Sequence, residues 1–257
     1  MSNTFDPSRD SLFHVFDLSN LLTRTAALVK KAFLPAAAIL FGYDLFLFVS
    51  SRVVMEWMPN LRFMPGRQYL TGAGWLFLLF LSYFVTVATY LVAFRTIRCE
   101  PLPTTGEVLR LGLNRLPWAA INCFLAFVLI MIGTTLLVVP GLVIATALSV
   151  LVPVLFLEDS EYDGLNRSAE LTRGHRWTLF FFLLVTGVCC GFVVLCCGLV
   201  GALAHLTSLV PYGFGRVLAG NLTFIIGACS VVMAYHDLRL VAQEFDEPSL
   251  EEAVGTV

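Results

Sequence analysis

The chain has 257 residues, of which 58 % are hydrophobic and 13 % are charged, and its mean hydropathy is +0.84. Soluble proteins are about 45–50 % apolar and about 25 % charged, so these few charges would cover a soluble surface poorly. The formal net charge of −2 excludes the strong basic balance that is typical of nucleic-acid binding. The composition therefore predicts an all-α polytopic membrane protein that contacts lipid and not nucleic acid.

Six mainly apolar stretches approach the roughly 20 residues that a spanning helix needs. They cover residues 32–55, 70–94, 118–139, 142–157, 177–204 and 217–241. Pro140-Gly141 is a strong turn signal, and it predicts a tight hairpin between the third and fourth spans. The first thirty residues are too polar for a cleavable signal peptide. We therefore divide the chain into an N-terminal segment (1–31), a six-helix transmembrane domain (32–242) and an acidic, flexible tail (243–257).

The distribution of Lys and Arg predicts the orientation, because cytoplasmic loops carry an excess of both. Four basic residues fall on one side of the predicted spans: Arg52, Arg62, Arg67 and Arg216. Twelve fall on the other side: Arg9, Arg24, Lys30, Lys31, Arg95, Arg98, Arg110, Arg115, Arg167, Arg173, Arg176 and Arg239. The side with twelve is predicted to be cytoplasmic, and both termini fall there.

Three segments on that side have a modestly amphipathic pattern, and each directly precedes an odd-numbered span. They are residues 17–31, 104–115 and 160–176. Thr104 and Glu107 match a capping box, and Ser160 with Asp163 gives a weaker helix start. Amphipathic helices of this kind lie in the membrane interface. The sequence thus favours three hairpins, each preceded by an interfacial helix on the cytoplasmic face.

Asp44 is the most unusual residue, because it is an acid near the middle of the first span. A carboxylate at the bilayer centre costs about 2.5–3.5 kcal/mol, so the side chain is expected to face the protein interior. Ser82, Tyr83 and Thr86 of the second span and Ser230 of the sixth are its predicted hydrogen-bond partners. An intramembrane acid also makes Asp44 a candidate binding residue, although no second acid or base accompanies it as in a proton relay.

Other polar or small residues in the spans have a structural and a functional interpretation. Gly187 and Gly191 form a G-x-x-x-G pattern, which allows close helix packing within the chain or a homo-oligomer. His205 and Asn221 are predicted to form a hydrogen-bonded pair. His236-Asp237 is explained by solvation at the end of the sixth span.

Motifs for catalysis are missing from the sequence. It contains no Walker A loop, G-x-G-x-x-G or H-E-x-x-H pattern, and no G-x-S-x-G pattern. The seven cysteines lie mostly in apolar runs without zinc-finger spacing, which favours structural thiols. We therefore expect no catalytic residues, no metal site and no cofactor.

A family resemblance emerges from residues 138–177, VVPGLVIATALSVLVPVLFLEDSEYDGLNRSAELTRGHRW. This stretch combines V-P-G, an apolar span that ends in an acid, and an amphipathic segment with R-S-x-x-L-T. With VLAGNLT from Val217 and YHDLR at 235–239, it resembles the YciC-like family of uncharacterised bacterial inner-membrane proteins. It is also similar to the membrane domain of some glycerophosphodiester phosphodiesterases. The resemblance covers about the C-terminal half and implies six helices without an established activity. The phosphodiesterase barrel is absent, so no catalytic residue is carried over.

Two functional hypotheses follow. The first is a non-enzymatic protein of the bacterial inner membrane with a structural, envelope-maintenance or partner-binding role. The second is transport or lateral handling of a lipid or small amphiphile, which Asp44 and the interfacial helices suggest. An intramembrane enzyme would need several acids, histidines or metal ligands at one depth, and the sequence does not supply such a set.

Overall fold

The computed structural model describes residues 18–57, 67–158, 163–206 and 214–246, and these ranges are mostly helical with no strand among them. The helices are α1 (Leu18–Trp57), α2 (Arg67–Arg98), α3 (Thr105–Leu136), α4 (Val138–Ala147), α5 (Leu151–Leu157), α6 (Gly164–Leu171), α7 (Arg176–Leu206) and α8 (Phe214–Asp246). Within these described ranges, six stretches are long and apolar enough to cross a membrane, as the sequence predicted. In lipid only closed hydrogen-bonding patterns such as helices span, and these stretches meet that demand.

The fourth span is not one continuous helix. It consists of α4 and α5, which are separated by a turn at residues 148–150 within the candidate span Val139–Leu157. Val150 and Leu151 are almost completely buried. Irregular backbone at membrane depth is tolerated where protein covers it, and the burial of this turn meets that condition.

The predicted turn at Pro140-Gly141 is misplaced by three residues. Only Leu137 separates α3 from α4, and its extended backbone (φ −160°, ψ 138°) makes the turn. Pro140 lies in the first turn of α4, where a missing N–H costs no intrahelical hydrogen bond. Gly141 lies against α3, since a Cβ built on it would be 2.7 Å from Cα of Thr134. The Pro-Gly pair thus starts a helix and permits a close helix contact.

Two of the three amphipathic segments are continuous with a span. The first forms the start of α1, and the second forms the start of α3. The predicted capping box is confirmed, because Oε2 of Glu107 accepts from the N–H of Thr104 at 2.9 Å and Oγ1 of Thr104 accepts from the N–H of Glu107 at 3.4 Å. Only the third segment contains a separate helix, α6, whose buried residues are Gly164, Ser168 and Leu171.

The chain divides into two compact units. The first contains residues 1–28, 115–187 and 230–257, and the second contains residues 29–114 and 188–229. Within the first unit, α5 packs against α6, and Leu21, Val154, Phe182 and Tyr235 are almost completely buried. The second unit buries residues of α1, α2 and α8, among them Ala32, Leu40, Val87 and Ile225.

Replacing Gly141 with Ala is expected to destabilise the protein by about 1–3 kcal/mol, because the new methyl group would overlap the backbone of Thr134. Gly187→Ala is the matched control, since no described atom lies within 4 Å of a Cβ built there. It should leave stability unchanged or raise it slightly. Thermal unfolding of both variants in one detergent measures the difference. Equal melting temperatures would show that α3 and α4 are not in close contact.

Candidate functional site

A buried polar cluster in the first unit is centred on Glu158, directly after α5. Its side chain is only 12 % exposed. Oε2 accepts from Nε of Arg167 at 3.2 Å, and Oε1 accepts from the hydroxyl of Tyr235 at 3.0 Å. Arg239 in turn donates from Nη1 to the Tyr235 oxygen at 3.4 Å. Both oxygens of one carboxylate therefore connect α5 to α6 and to α8.

Arg115 of α3 completes this group, which we call the Glu158 cluster: Arg115, Glu158, Arg167, Tyr235 and Arg239. Nη1 of Arg115 donates to the carbonyl of Leu155 at 3.2 Å and also to the carbonyl of Glu158. The last carbonyls of a helix have no intrahelical donor, and a cation near the negative end of the helix dipole is stabilising. Arg115 thus caps α5 and adds α3 to the helices that the cluster joins.

A second buried ion pair in the first unit joins the start of α1 to the end of α8. Nη1 of Arg24 is 2.8 Å from Oδ2 of Asp237, whose side chain has no exposed area. Nδ1 of His236 is 3.3 Å from the other carboxylate oxygen. The predicted explanation of His236-Asp237 by helix-end solvation is therefore wrong for Asp237, because this carboxylate is paired inside the protein.

The break in the fourth span is closed by α6. In a continuous helix, the carbonyl of Ala147 would accept from the N–H of Leu151, which instead donates to the carbonyl of Leu148. The hydroxyl of Ser168 donates to the Ala147 carbonyl at 2.9 Å. The single hydroxyl proton of Thr172 is shared among the carbonyls of Ser168, Ala169 and Ala147, at 3.1, 3.2 and 3.3 Å. Both side chains are completely buried. A buried carbonyl without a partner is costly, so these two hydroxyls stabilise the break.

The variant that carries both Ser168→Ala and Thr172→Val should have a free energy of unfolding about 1–3 kcal/mol lower than that of the wild type. Each single variant leaves one donor on Ala147. The effect of the double variant should therefore exceed the sum of the two single effects. Thr135→Val is the control, because that exposed hydroxyl bonds only within its own helix. Denaturant unfolding in detergent gives all four values, and additive effects would argue against shared satisfaction of this carbonyl.

Two of the motifs that carry the family resemblance converge in the first unit with the acid that ends the fourth span, whereas VLAGNLT from Val217 lies in the second unit. R-S-x-x-L-T supplies Arg167, Ser168 and Thr172, and the acid that ends the fourth span is Glu158. Y-H-D-L-R supplies Tyr235 and Arg239 to the Glu158 cluster. It also supplies Asp237 to the ion pair with Arg24. The sequence did not predict the contribution of Arg115. Its only signal was a basic residue just before the third span.

Asp44 has a different partner from the predicted ones. Within the second unit, Nδ2 of Asn221 in α8 donates to Oδ2 of Asp44 in α1 at 2.6 Å. The three predicted partners on α2 donate to backbone carbonyls instead: Ser82 to Leu79, Tyr83 to Gly112 and Thr86 to Ser82. Asn221 was assigned to His205, whose side chain lies outside the described part of the structure. The polar partner of Asn221 is therefore Asp44, and the pair joins α8 to α1.

Gly187 and Gly191 lie on an open surface of α7. No described atom is within 4 Å of a Cβ built at either position, so these glycines do not pack closely against any part of the chain that the structure describes. The close contact in this region is formed further along, where a Cβ on Gly201 would be 2.9 Å from Cα of Gly215. The open glycines leave the predicted homo-oligomer as the remaining hypothesis for this pattern.

Within the described ranges, no three His, Cys, Asp or Glu side chains lie close enough to hold a metal ion. In chemical terms, Glu158 and Asp237 are each paired with an arginine, and the Glu158 cluster contains two further arginines, Arg115 and Arg239. The six apolar spans define a multi-pass membrane protein.

No model of a protein family, no curated protein and no solved structure matches the chain. Membership of the YciC-like family therefore stays a prediction.

Proposed function

We propose that this protein is a non-enzymatic component of a bacterial inner membrane, with a structural, envelope-maintenance or partner-binding role. The observation that supports this proposal is that the carboxylates of Glu158 and Asp237 are both paired with side chains of the protein itself. Each oxygen of Glu158 accepts from another helix, and Asp237 is held by Arg24 and His236. A general acid or base needs an oxygen within reach of the substrate, and these oxygens are already bonded to the protein itself.

The orientation belongs to the same proposal: both termini in the cytoplasm, at the end where twelve of the 16 Lys and Arg gather. Reporter fusions at Val257 and in the segment of residues 58–66 test it. A cytoplasmic reporter should be active at Val257 and inactive in the segment. The opposite pattern would reverse the orientation.

Partner binding is tested by purifying the tagged protein from crosslinked native membranes. The expected product is a discrete complex with a second protein or with a second copy. For self-association, the Gly187→Leu/Gly191→Leu variant should lose the complex, because bulky side chains would block close approach of another helix. Gly220→Leu is the control, since a Cβ there also meets no described atom within 4 Å. Recovery of the single chain alone would contradict a partner-binding role.

Handling of a lipid or small amphiphile is the second candidate function, and the Asp44–Asn221 pair favours it. Asp44 is only partly buried although it lies within the candidate span Leu18–Ser50. An ionisable group in such a position is a functional hypothesis by default. Transfer of a labelled lipid between leaflets of reconstituted vesicles tests this function, and an Asp44→Asn variant should slow the transfer without lowering protein abundance.

A further inference from the structure

The Asp44–Asn221 pair lies near the start of α8. Asn221 is seven residues after Phe214, the first residue of that helix. At 1.5 Å per residue, this places the pair about 10 Å along α8 from its start. This depth is closer to the lipid headgroups than the bilayer centre is.

The pair also lies where the inner face of α1 becomes accessible. Ala36, Ala37 and Leu40 precede Asp44 on one side of the helix, and all three are buried. Asp44 follows on that side but is only half-buried. Its neighbour Leu45 is 63 % exposed and faces the lipid side. The carboxylate thus stands at a border between packed protein and an apolar exterior.

Asn221 satisfies this carboxylate only in part. A carboxylate has two oxygens with about four acceptor positions, and the amide of Asn221 supplies one neutral donor to Oδ2. Within the described ranges, none of the ion pairs includes Asp44. A charge in an apolar environment requires a partner of opposite charge or further donors. The complementary group is therefore a cation with several N–H donors that can arrive from the lipid side.

We propose that Asp44 and Asn221 bind the primary ammonium group of an amphiphile, either a lipid headgroup or a small amphiphilic amine. A primary ammonium has three N–H donors, whereas a quaternary ammonium has none, so this site discriminates between them. The inference rests on the lipid-handling function, but binding and transfer are separate measurements. Binding without transfer between leaflets contradicts that function and leaves the site intact.

The test begins with nanodiscs that hold equal amounts of phosphatidylethanolamine and phosphatidylcholine with identical acyl chains. After extraction into detergent, mass spectrometry counts the lipids that remain on the protein. The wild type is expected to enrich phosphatidylethanolamine roughly tenfold, the effect of one charge-assisted hydrogen bond. Asp44→Asn should lose this enrichment. Asp163→Asn is the matched control, because exposed Asp163 also accepts from an asparagine, Asn166, at 2.6 Å.

A second measurement uses the wild type alone and does not depend on how a variant folds. Dodecylamine should raise its melting temperature, whereas dodecyltrimethylammonium should not. Enrichment of phosphatidylethanolamine identifies a lipid as the source of the ammonium group, and stabilisation by dodecylamine without that enrichment identifies a small amphiphile. The absence of both effects overturns the proposal, and so does an enrichment that the folded Asp44→Asn variant retains.

Discussion

Replacing Glu158 with Gln is expected to lower the free energy of unfolding by about 2–3 kcal/mol. The carboxylate is 12 % exposed and accepts from Arg167 and Tyr235. Gln is uncharged and has one acceptor oxygen, so one of the two donors loses its partner, and Arg167 keeps only the exposed Glu170 as a counter-charge. Breaking a buried pair typically costs about 3–5 kcal/mol. We expect less here, because Arg167 is 37 % exposed and water can solvate it.

Glu170→Gln provides the matched control, because Glu170 pairs with the same Arg167 at 3.8 Å but is 69 % exposed. Exposed pairs contribute about 0–1 kcal/mol, so this variant should unfold almost like the wild type. Thermal unfolding of the three proteins in the same detergent measures the contrast. If both Gln variants lost the same stability, the effect would come from Arg167 and not from the buried position of Glu158.

Replacing Asp237 with Asn is expected to lower the free energy of unfolding by about 3 kcal/mol, which is the second large effect. Asp237 has no exposed side-chain area and lies 2.8 Å from Arg24, so Asn leaves a guanidinium without its counter-charge. Because Arg24 is 33 % exposed, we place the effect at the lower end of the range for buried pairs. Glu100→Gln serves as the control, since Glu100 is 44 % exposed and pairs with Arg98 at 3.7 Å.

Replacing both members of the Arg24–Asp237 pair distinguishes an ion pair from general damage. Arg24→Met/Asp237→Leu removes both charges and keeps apolar volume, and such replacements are often neutral or stabilising. The double variant is therefore expected to be more stable than Asp237→Asn alone. If the double variant were as unstable as the sum of the single effects, the two side chains would not interact.

The spans were predictable from the sequence because the demand of lipid for about 20 apolar residues is local. The capping box at Thr104 and Glu107 was predictable for the same reason, since its two hydrogen bonds join residues three apart. The Pro140-Gly141 signal was also local, but its meaning depended on α3. Gly141 is explained by its approach to Thr134, and nothing within the dipeptide indicates that contact.

The pairings of the site could not be predicted, because they join positions far apart in the chain. Asn221 and Asp44 are separated by 177 residues, and Asp237 and Arg24 by 213 residues. Composition and periodicity give the face and depth of a residue but not the neighbour opposite to it. The sequence marks Asp44 as an acid within a span and offers hydroxyl partners at similar depth. Only the packing of α1 against α8 within the second unit selects Asn221 instead.

Broken helices in membrane proteins often accompany binding sites, where free backbone groups face a ligand. The break at residues 148–150 differs, because the freed carbonyl of Ala147 is already bonded to Ser168 and Thr172. The R-S-x-x-L-T motif thus has a physical explanation that requires no ligand. Its serine and threonine close the break, and its arginine neutralises Glu158.

The most direct test of a structural role for the Glu158 cluster is a double-mutant cycle with Glu158→Gln and Tyr235→Phe. Tyr235 is completely buried, and its hydroxyl is 3.0 Å from Oε1 of Glu158. The free energies of unfolding in detergent should give a coupling of about 1–3 kcal/mol, as expected for a hydrogen bond to a charged group. Additive effects, with both single variants as stable as the wild type, would contradict the proposal that these motif residues hold the helices together.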